Sequence, residues 1–183
     1  MSVPVVLPVL YRIRSACKYA LTNRIVSGGE SIRYSNDGNT TIDTVGYYNS
    51  LKYCYDNPIT YEAATGFPFI NMFIDHEDCS TGSDSRLDQN SGMLHNKFSL
   101  RLEVFLNTNT NQSYLMDTIL ADLQRYFGIN YYIPDSEGNA TCMNCYYSGS
   151  DRWSLDINNP ICGITVLFDV WYRQKLIDPT IFS

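Results

Sequence analysis

The chain has little charge and almost no histidine. Charged residues make up 17% of its 183 positions, below the usual quarter, and only His76 and His95 supply imidazole. Neither histidine stands near a G-x-S-x-G or a cysteine nucleophile motif, which removes support for hydrolase triads. No G-x-x-x-x-G-K-[ST] occurs, and Ser27-Gly28-Gly29 and Thr65-Gly66 are too short to cradle a phosphate. No apolar run reaches membrane-spanning length. The apolar N-terminus lacks a basic leader region and is interrupted by Pro4 and Pro8, so the sequence predicts no targeting segment and a cytosolic site of synthesis. The first 29 residues contain no acid at all. They hold Arg12, Arg14, Lys18 and Arg24, leaving 9 basic against 19 acidic side chains in the rest. An acidic body argues against a nucleic-acid-binding domain, because phosphate contacts need Lys and Arg, and suits a surface that DNA passes without sticking.

What the chain has in quantity is tyrosine: 15 Tyr beside 8 Phe and 2 Trp. A ring with a polar tip serves equally at the margin of a core and at a protein contact. At 183 residues the length predicts one domain with a sizeable core.

The clearest structural signal runs from Phe98 to Gly128. Phe98, Leu100, Leu102, Val104 and Leu106 alternate with Ser99, Arg101, Glu103, Phe105 and Asn107, the two-residue period of a half-buried strand. After the polar break Asn107–Asn111, residues Leu115, Met116, Ile119, Leu120, Leu123, Tyr126 and Phe127 recur at helical spacing, and Gly128 is the expected stop. Upstream, Val6 to Ile25 reads as a first helix with an apolar stripe of Leu7, Leu10, Ile13, Cys17, Ala20 and Leu21. Pro4 and Pro8 sit near its start and Gly28-Gly29 ends it. Ser31–Tyr34 and Thr41–Tyr48 flank the turn signal Asn36-Asp37-Gly38-Asn39 as a short peripheral hairpin. Phe67–Ile74 reads as a buried strand, Ile129–Ile133 as a short strand, and Ile164–Tyr172 as the closing one. Between them lie two stretches read as long irregular loops, Asp75–Lys97 and Pro134–Asn159. The order helix, strand, strand, helix, strand predicts an α+β fold: a mixed or antiparallel central sheet with two helices packed on one face and long irregular loops.

Candidate chemistry is sparse. Cys142-Met-Asn-Cys145 is a lone C-x-x-C, with Cys17, Cys54, Cys79 and Cys162 scattered elsewhere. A structural zinc site wants four ligands, often as two close pairs, and the second pair is missing. Buried, reduced thiols are the favoured reading, so no metal or cofactor is expected and Cys142 and Cys145 remain the candidate ligands if one binds. The acids Asp75, Glu77, Asp78, Asp84 and Asp88 lack the spacing of a calcium loop and read as a solvated run. Together these observations predict no enzyme.

The element order resembles that of the tail-terminator (tail-completion) proteins of long-tailed bacteriophages. The resemblance is carried by Val9-Leu10-Tyr11-Arg12-Ile13, Gly66-Phe67-Pro68-Phe69-Ile70, Phe98–Leu106, Leu115–Gly128, and Ile164–Tyr172 followed by Asp178-Pro179. These segments are spread over most of the chain and are patterns rather than an invariant motif. The 134–159 excursion and its cysteines exceed the family's compact form. The resemblance implies a structural virion protein, assembled in the host cytoplasm, without catalysis. It implies a homohexamer ring that caps the tail tube, ends tube polymerisation and meets the neck or head connector, with DNA passing the lumen. On that reading Asp75, Glu77, Asp78, Asp84 and Asp88 become candidates for ring-to-tube contact. Arg101, Glu103 and Phe105, on the strand face turned away from the helices, become candidates for contact between subunits or with the insert. The alternatives are another phage neck or head–tail adaptor protein and, from a different class, a zinc-stabilised binding module or small metal-dependent enzyme.

Overall fold

The computed structural model describes residues 8–25, 32–36, 39–45, 53–55, 57–79, 93–108, 110–155 and 160–175. Gly28-Gly29, Asp84, Asp88 and Asp178-Pro179 lie outside them. The architecture is α+β: one mixed five-stranded sheet with two helices on one of its faces. In chain order the elements are α1 (Val9–Tyr19), running into a π-helical turn (Ala20–Ile25), β1 (Ile32–Asn36), β2 (Asn39–Val45), β3 (Tyr53–Tyr55), β4 (Phe69–Cys79), β5 (Met93–Asn107), α2 (Gln112–Ile129), β6 (Asn144–Ser154) and β7 (Ile161–Lys175). β1 and β2 form the expected hairpin as a separate two-stranded sheet. The main sheet runs β3-β4-β5-β7-β6, with β3 parallel to β4 and every other pair antiparallel.

The alternation in β5 places its even-numbered residues in the core. Phe98, Leu100, Leu102, Val104 and Leu106 are fully buried, and β7 matches them with Val170, Phe168, Val166, Ile164 and Cys162 in register. On the other side Ile70, Met72 and Ile74 of β4 stand beside Val104, Leu102 and Leu100. Both helices lay their apolar stripes on this face. Val9, Ile13, Ala16 and Cys17 of α1 join one core with Met116, Ile119, Leu123, Tyr126 and Phe127 of α2. Roughly 1.5–3 kcal/mol accompanies the burial of each such large side chain, so this layer dominates the stability of the fold.

Helix ends differ slightly from expectation for local reasons. Pro8, with no N–H to leave unsatisfied, stands at the N-cap of α1, so the helix begins at Val9 rather than Val6. The hydroxyl of Thr22 donates to the Lys18 carbonyl at 2.8 Å within the widened turn that follows. α2 passes through Gly128 and ends at Ile129, where the Asn130 amide and side chain both donate to the Tyr126 carbonyl at 2.9 and 3.1 Å. Ile129–Ile133 is therefore the end of a helix and a turn, not a strand.

The two expected long loops are shorter than the sequence suggests. Asp75–Cys79 continues β4 and Met93–Lys97 begins β5, paired as far as Cys79 with Asn96, with a bulge between Asp75 and Glu77. Only 80–92 separates the strands. Within Pro134–Asn159, residues Asn144–Ser154 form β6, paired along β7 with a bulge between Tyr147 and Gly149. Both corrections have the same cause: a partner strand can recruit a polar segment that shows no alternation of its own. Among the described residues no helix is long and apolar enough to cross a membrane.

Candidate functional site

The helices cover one face of the sheet, and the odd-numbered residues of β5 line the other. That second face divides into three zones. At one end Phe69 of β4 stacks flat on Phe105 of β5, with centroids 4.6 Å apart and planes within 2°. Phe105 meets Trp153 of β6 edge-to-face at 4.9 Å, and Phe67 and Tyr55 close on Phe69 at 5.3 and 5.7 Å. Gly163 of β7, opposite both Phe105 and Trp153, leaves the space that the indole fills. The segment 57–68 is pinned to this end by Asn71. Its side-chain amide donates to the Ile59 carbonyl at 2.8 Å, and the Ile59 N–H donates back to its oxygen at 3.2 Å. Asn71 is buried, and the reciprocal pair satisfies it.

The middle zone is ionic. Arg101 donates from Nε to Asp75 and from Nη1 to Glu103, reaches Asp75 again from Nη2 at 3.3 Å, and lies over the Phe73 ring at 4.0 Å from its centroid. The hydrogen bond that Arg101 donates to Asp75 is the largest influence that raises the Arg101 pKa, so the guanidinium is held charged.

The third zone belongs to Lys97, Asp169 and Trp171. The ammonium pairs with Asp169 at 2.6 Å and lies 5.7 Å from the Trp171 ring centroid. Beside it His95, Met143, Asn144, Tyr146, Trp171 and Tyr172 line an open cavity of about 350 Å³.

The sequence-derived candidates distribute unevenly over these zones. Asp75, Arg101 and Glu103 come together in one cluster, and each is engaged within the chain. Phe105 touches the 134–159 region through Trp153. The backbones of Glu77 and Asp78 extend β4 beyond its bulge. Asp84 and Asp88 lie outside the described residues.

Cys142 and Cys145 sit on the helix side at the start of β6, both buried in the core. The Cys142 thiol faces the Tyr131 carbonyl at 3.5 Å. Burial pushes the Cys142 thiol up to about 12 and the Cys145 thiol higher still. Cys17 of α1, also raised first by burial, lies near enough that Cys145, Cys142 and Cys54 each oppose its ionisation. Nothing in the spacing of the cysteines signals that convergence. Thiolates bind metals and protonated thiols do not, so this apolar pocket favours inert cysteines. Among the described residues no group of three His, Cys, Asp or Glu side chains is placed to hold a metal ion.

Sequence reasoning also missed the outer margin of the sheet. β6 is an edge strand, and from Tyr146 to Leu155 most of its residues are exposed. Tyr146 and Tyr147 are 54% and 44% exposed, with Trp171 at 38% near them and Leu155 at 48% past the far end of the strand. Residue types alone hinted at this strand through Tyr146-Tyr147 and Trp153, which favour β structure. What these surfaces define is a class: an α+β module with two helices packed on one face of the sheet, ion pairs at the centre of the other and an aromatic strand edge. No protein-family model and no curated protein matches the chain.

Proposed function

We propose that this protein is a structural ring subunit of the tail-terminator type. It caps the tail tube of a long-tailed phage, ends tube polymerisation and joins the tail to the neck or head connector. The observation that carries the reading is the one-sided layering. Two helices close one face of a five-stranded sheet, and aromatic side chains remain exposed along the opposite face and the β6 edge. An exposed aromatic margin on a weakly charged protein suits contacts with other subunits. A head-to-tail ring uses two different surfaces of each copy and stops growing on closure. The acidic balance of the chain suits a lumen that DNA passes without being held. On this reading the protein works in the virion at the tail–neck joint, its partners are itself, the tail tube protein and the connector, and it performs no catalysis.

Native mass spectrometry and negative-stain imaging of the full chain, alone and with tail tubes, test the reading. Rings of about six copies that bind tube ends and fix tube length are expected of a closed terminator. A strict monomer in the presence of tubes refutes it. Rings that bind connectors but leave tube length uncontrolled identify a neck adaptor instead.

A further inference from the structure

We infer that the β6 edge is an assembly site for a second copy of this chain, whose β4 adds to it as an antiparallel strand. The inference rests on the ring reading for the closure of the assembly and on the sheet itself for the contact.

The run Asn144–Ser150, Asn-Cys-Tyr-Tyr-Ser-Gly-Ser, carries no charge and no proline. Natural edge strands are commonly blunted by charged residues or proline because an unpaired row of N–H and C=O groups is a template for another strand. Here a bulge at Ser148 is the one such device in the run, and Asp151-Arg152 follows it. Arg152 is drawn off to Asp117 of α2. The edge is also flanked by apolar rings on both sides. By register Tyr146 and Trp171 stand toward the open face, while Tyr147 stands toward the helix face and packs at 5.9 Å on Phe168. An added strand sends alternate side chains to the two faces, so both sets of rings gain a neighbour.

The occupant is argued from the opposite edge of the same sheet. β3 pairs with β4 only from Phe69 to Asn71. Among the described residues, Met72–Cys79 has β5 on one side and no strand on the other. That leaves eight residues of open edge against seven in the uncharged run of β6, a close match in length. Polarity also fits. β4 and β7 run in one direction, β5 and β6 in the other. Copies placed head to tail so that the sheet continues therefore bring β6 of one against β4 of the next as an antiparallel pair. Asp75 of that β4 segment, held by Arg101, then faces an uncharged run rather than like charges. Such a contact is heterologous, the kind that closes into a ring.

The test compares dilute monomer with assembled full-length protein by hydrogen–deuterium exchange, with native mass spectrometry reporting the ring. The expected result is at least about tenfold slower exchange in peptides spanning 144–150 and 72–79 on assembly, as newly paired amides require. The variant Tyr146→Lys should lower ring abundance at least about tenfold while leaving the monomer's melting temperature nearly unchanged, because this side chain is more than half exposed. Rings whose 144–150 amides exchange as in the monomer overturn the edge contact and leave the ring reading intact. A dimer protected at 144–150 alone, a β6–β6 pairing, also overturns it. A chain that stays monomeric with tail tubes present overturns both.

Discussion

Gly163 is the position where the sheet tolerates least. A β-carbon built there would lie 2.0 Å from the Val104 carbonyl oxygen and 2.4 Å from Cζ2 of Trp153. The indole is part of an edge strand and can swing aside. The carbonyl belongs to β5, which is paired on both sides, and cannot move without disturbing two ladders. Inserting a methyl into a tight site costs about 1–3 kcal/mol, and a backbone obstacle puts Gly163→Ala at the upper end, about 3 kcal/mol. For a chain of this size each kcal/mol lowers the melting temperature by roughly 2–4 °C, so a drop of about 6–12 °C is expected. Urea denaturation followed by far-UV circular dichroism measures the free-energy loss, and a thermal scan the shift in melting temperature. The background Trp153→Ala separates the two obstacles. Removing the ring forfeits an aromatic pair with Phe105 worth about 0.5–1.5 kcal/mol and relieves only its own share of the clash. Gly163→Ala should still cost more than about 1 kcal/mol in that background, because the carbonyl remains. If Gly163→Ala unfolds within about 0.5 kcal/mol of the parent, the close approach of β5, β6 and β7 has been misjudged.

Two further predictions concern buried polar groups. Asn71→Leu removes both bonds to Ile59 and strands a backbone donor and acceptor, so a loss of about 2 kcal/mol is expected, with 57–68 becoming the first site of limited proteolysis. Unchanged stability together with unchanged cleavage would show that Asn71 does not hold the segment. The thiols predict an alkaline limit. Cys17, Cys142 and Cys145 have folded pKa values raised by burial, whereas unfolded cysteine ionises near 8.5. Their contribution is therefore intact below about pH 8.5 and is lost as pH rises toward the folded values, at up to about 1.4 kcal/mol per pH unit for each thiol. Native protein at pH 8 should resist a thiol reagent at these three positions and react once unfolded, and rapid native labelling at Cys142 or Cys145 would contradict their burial.

What the sequence made legible follows from how much each element depends on its own residues. β5 and α2 show their periods openly because each has one apolar and one polar side, and the structure buries the predicted side in both. The ends of the β4–β5 pair were hidden. Asp-His-Glu-Asp and His-Asn-Lys lack any alternation and are strand only because each faces the other across the ladder. β6 was hidden for a related reason. Exposed over most of its length, it has no buried side to write an alternating pattern, and Gly149 and Ser148 read as a loop when they are a bulge. The Arg101–Asp75–Glu103 cluster and the seat of Trp153 over Gly163 depend on strand register, which no single segment encodes. Cys17 of α1 shares one core with Cys142 and Cys145, a tertiary fact with no local signature.

The same asymmetry bears on function. The two helices bury their stripes against the even-numbered residues of β5, so most of the apolar burial lies on one side of the sheet. The open face is then free of that task, and the ionic groups at its centre pair with one another: Arg101 with Asp75 and Glu103, Lys97 with Asp169. Groups already paired in this way offer a partner little electrostatic gain, since breaking half-exposed pairs and remaking them nearly cancels. The proposed point of assembly is therefore not Arg101 and Glu103, where the strand period first directed attention. It is β6, where backbone groups have no partner strand on the outer side among the described residues and the neighbouring rings are exposed. Strand pairing there adds hydrogen bonds and covers Tyr146, Tyr147 and Trp171 without undoing any ion pair on the open face. The strand and helix that dominate the sequence thus act as the frame, and the segment with the weakest pattern supplies the edge proposed here as the contact between copies.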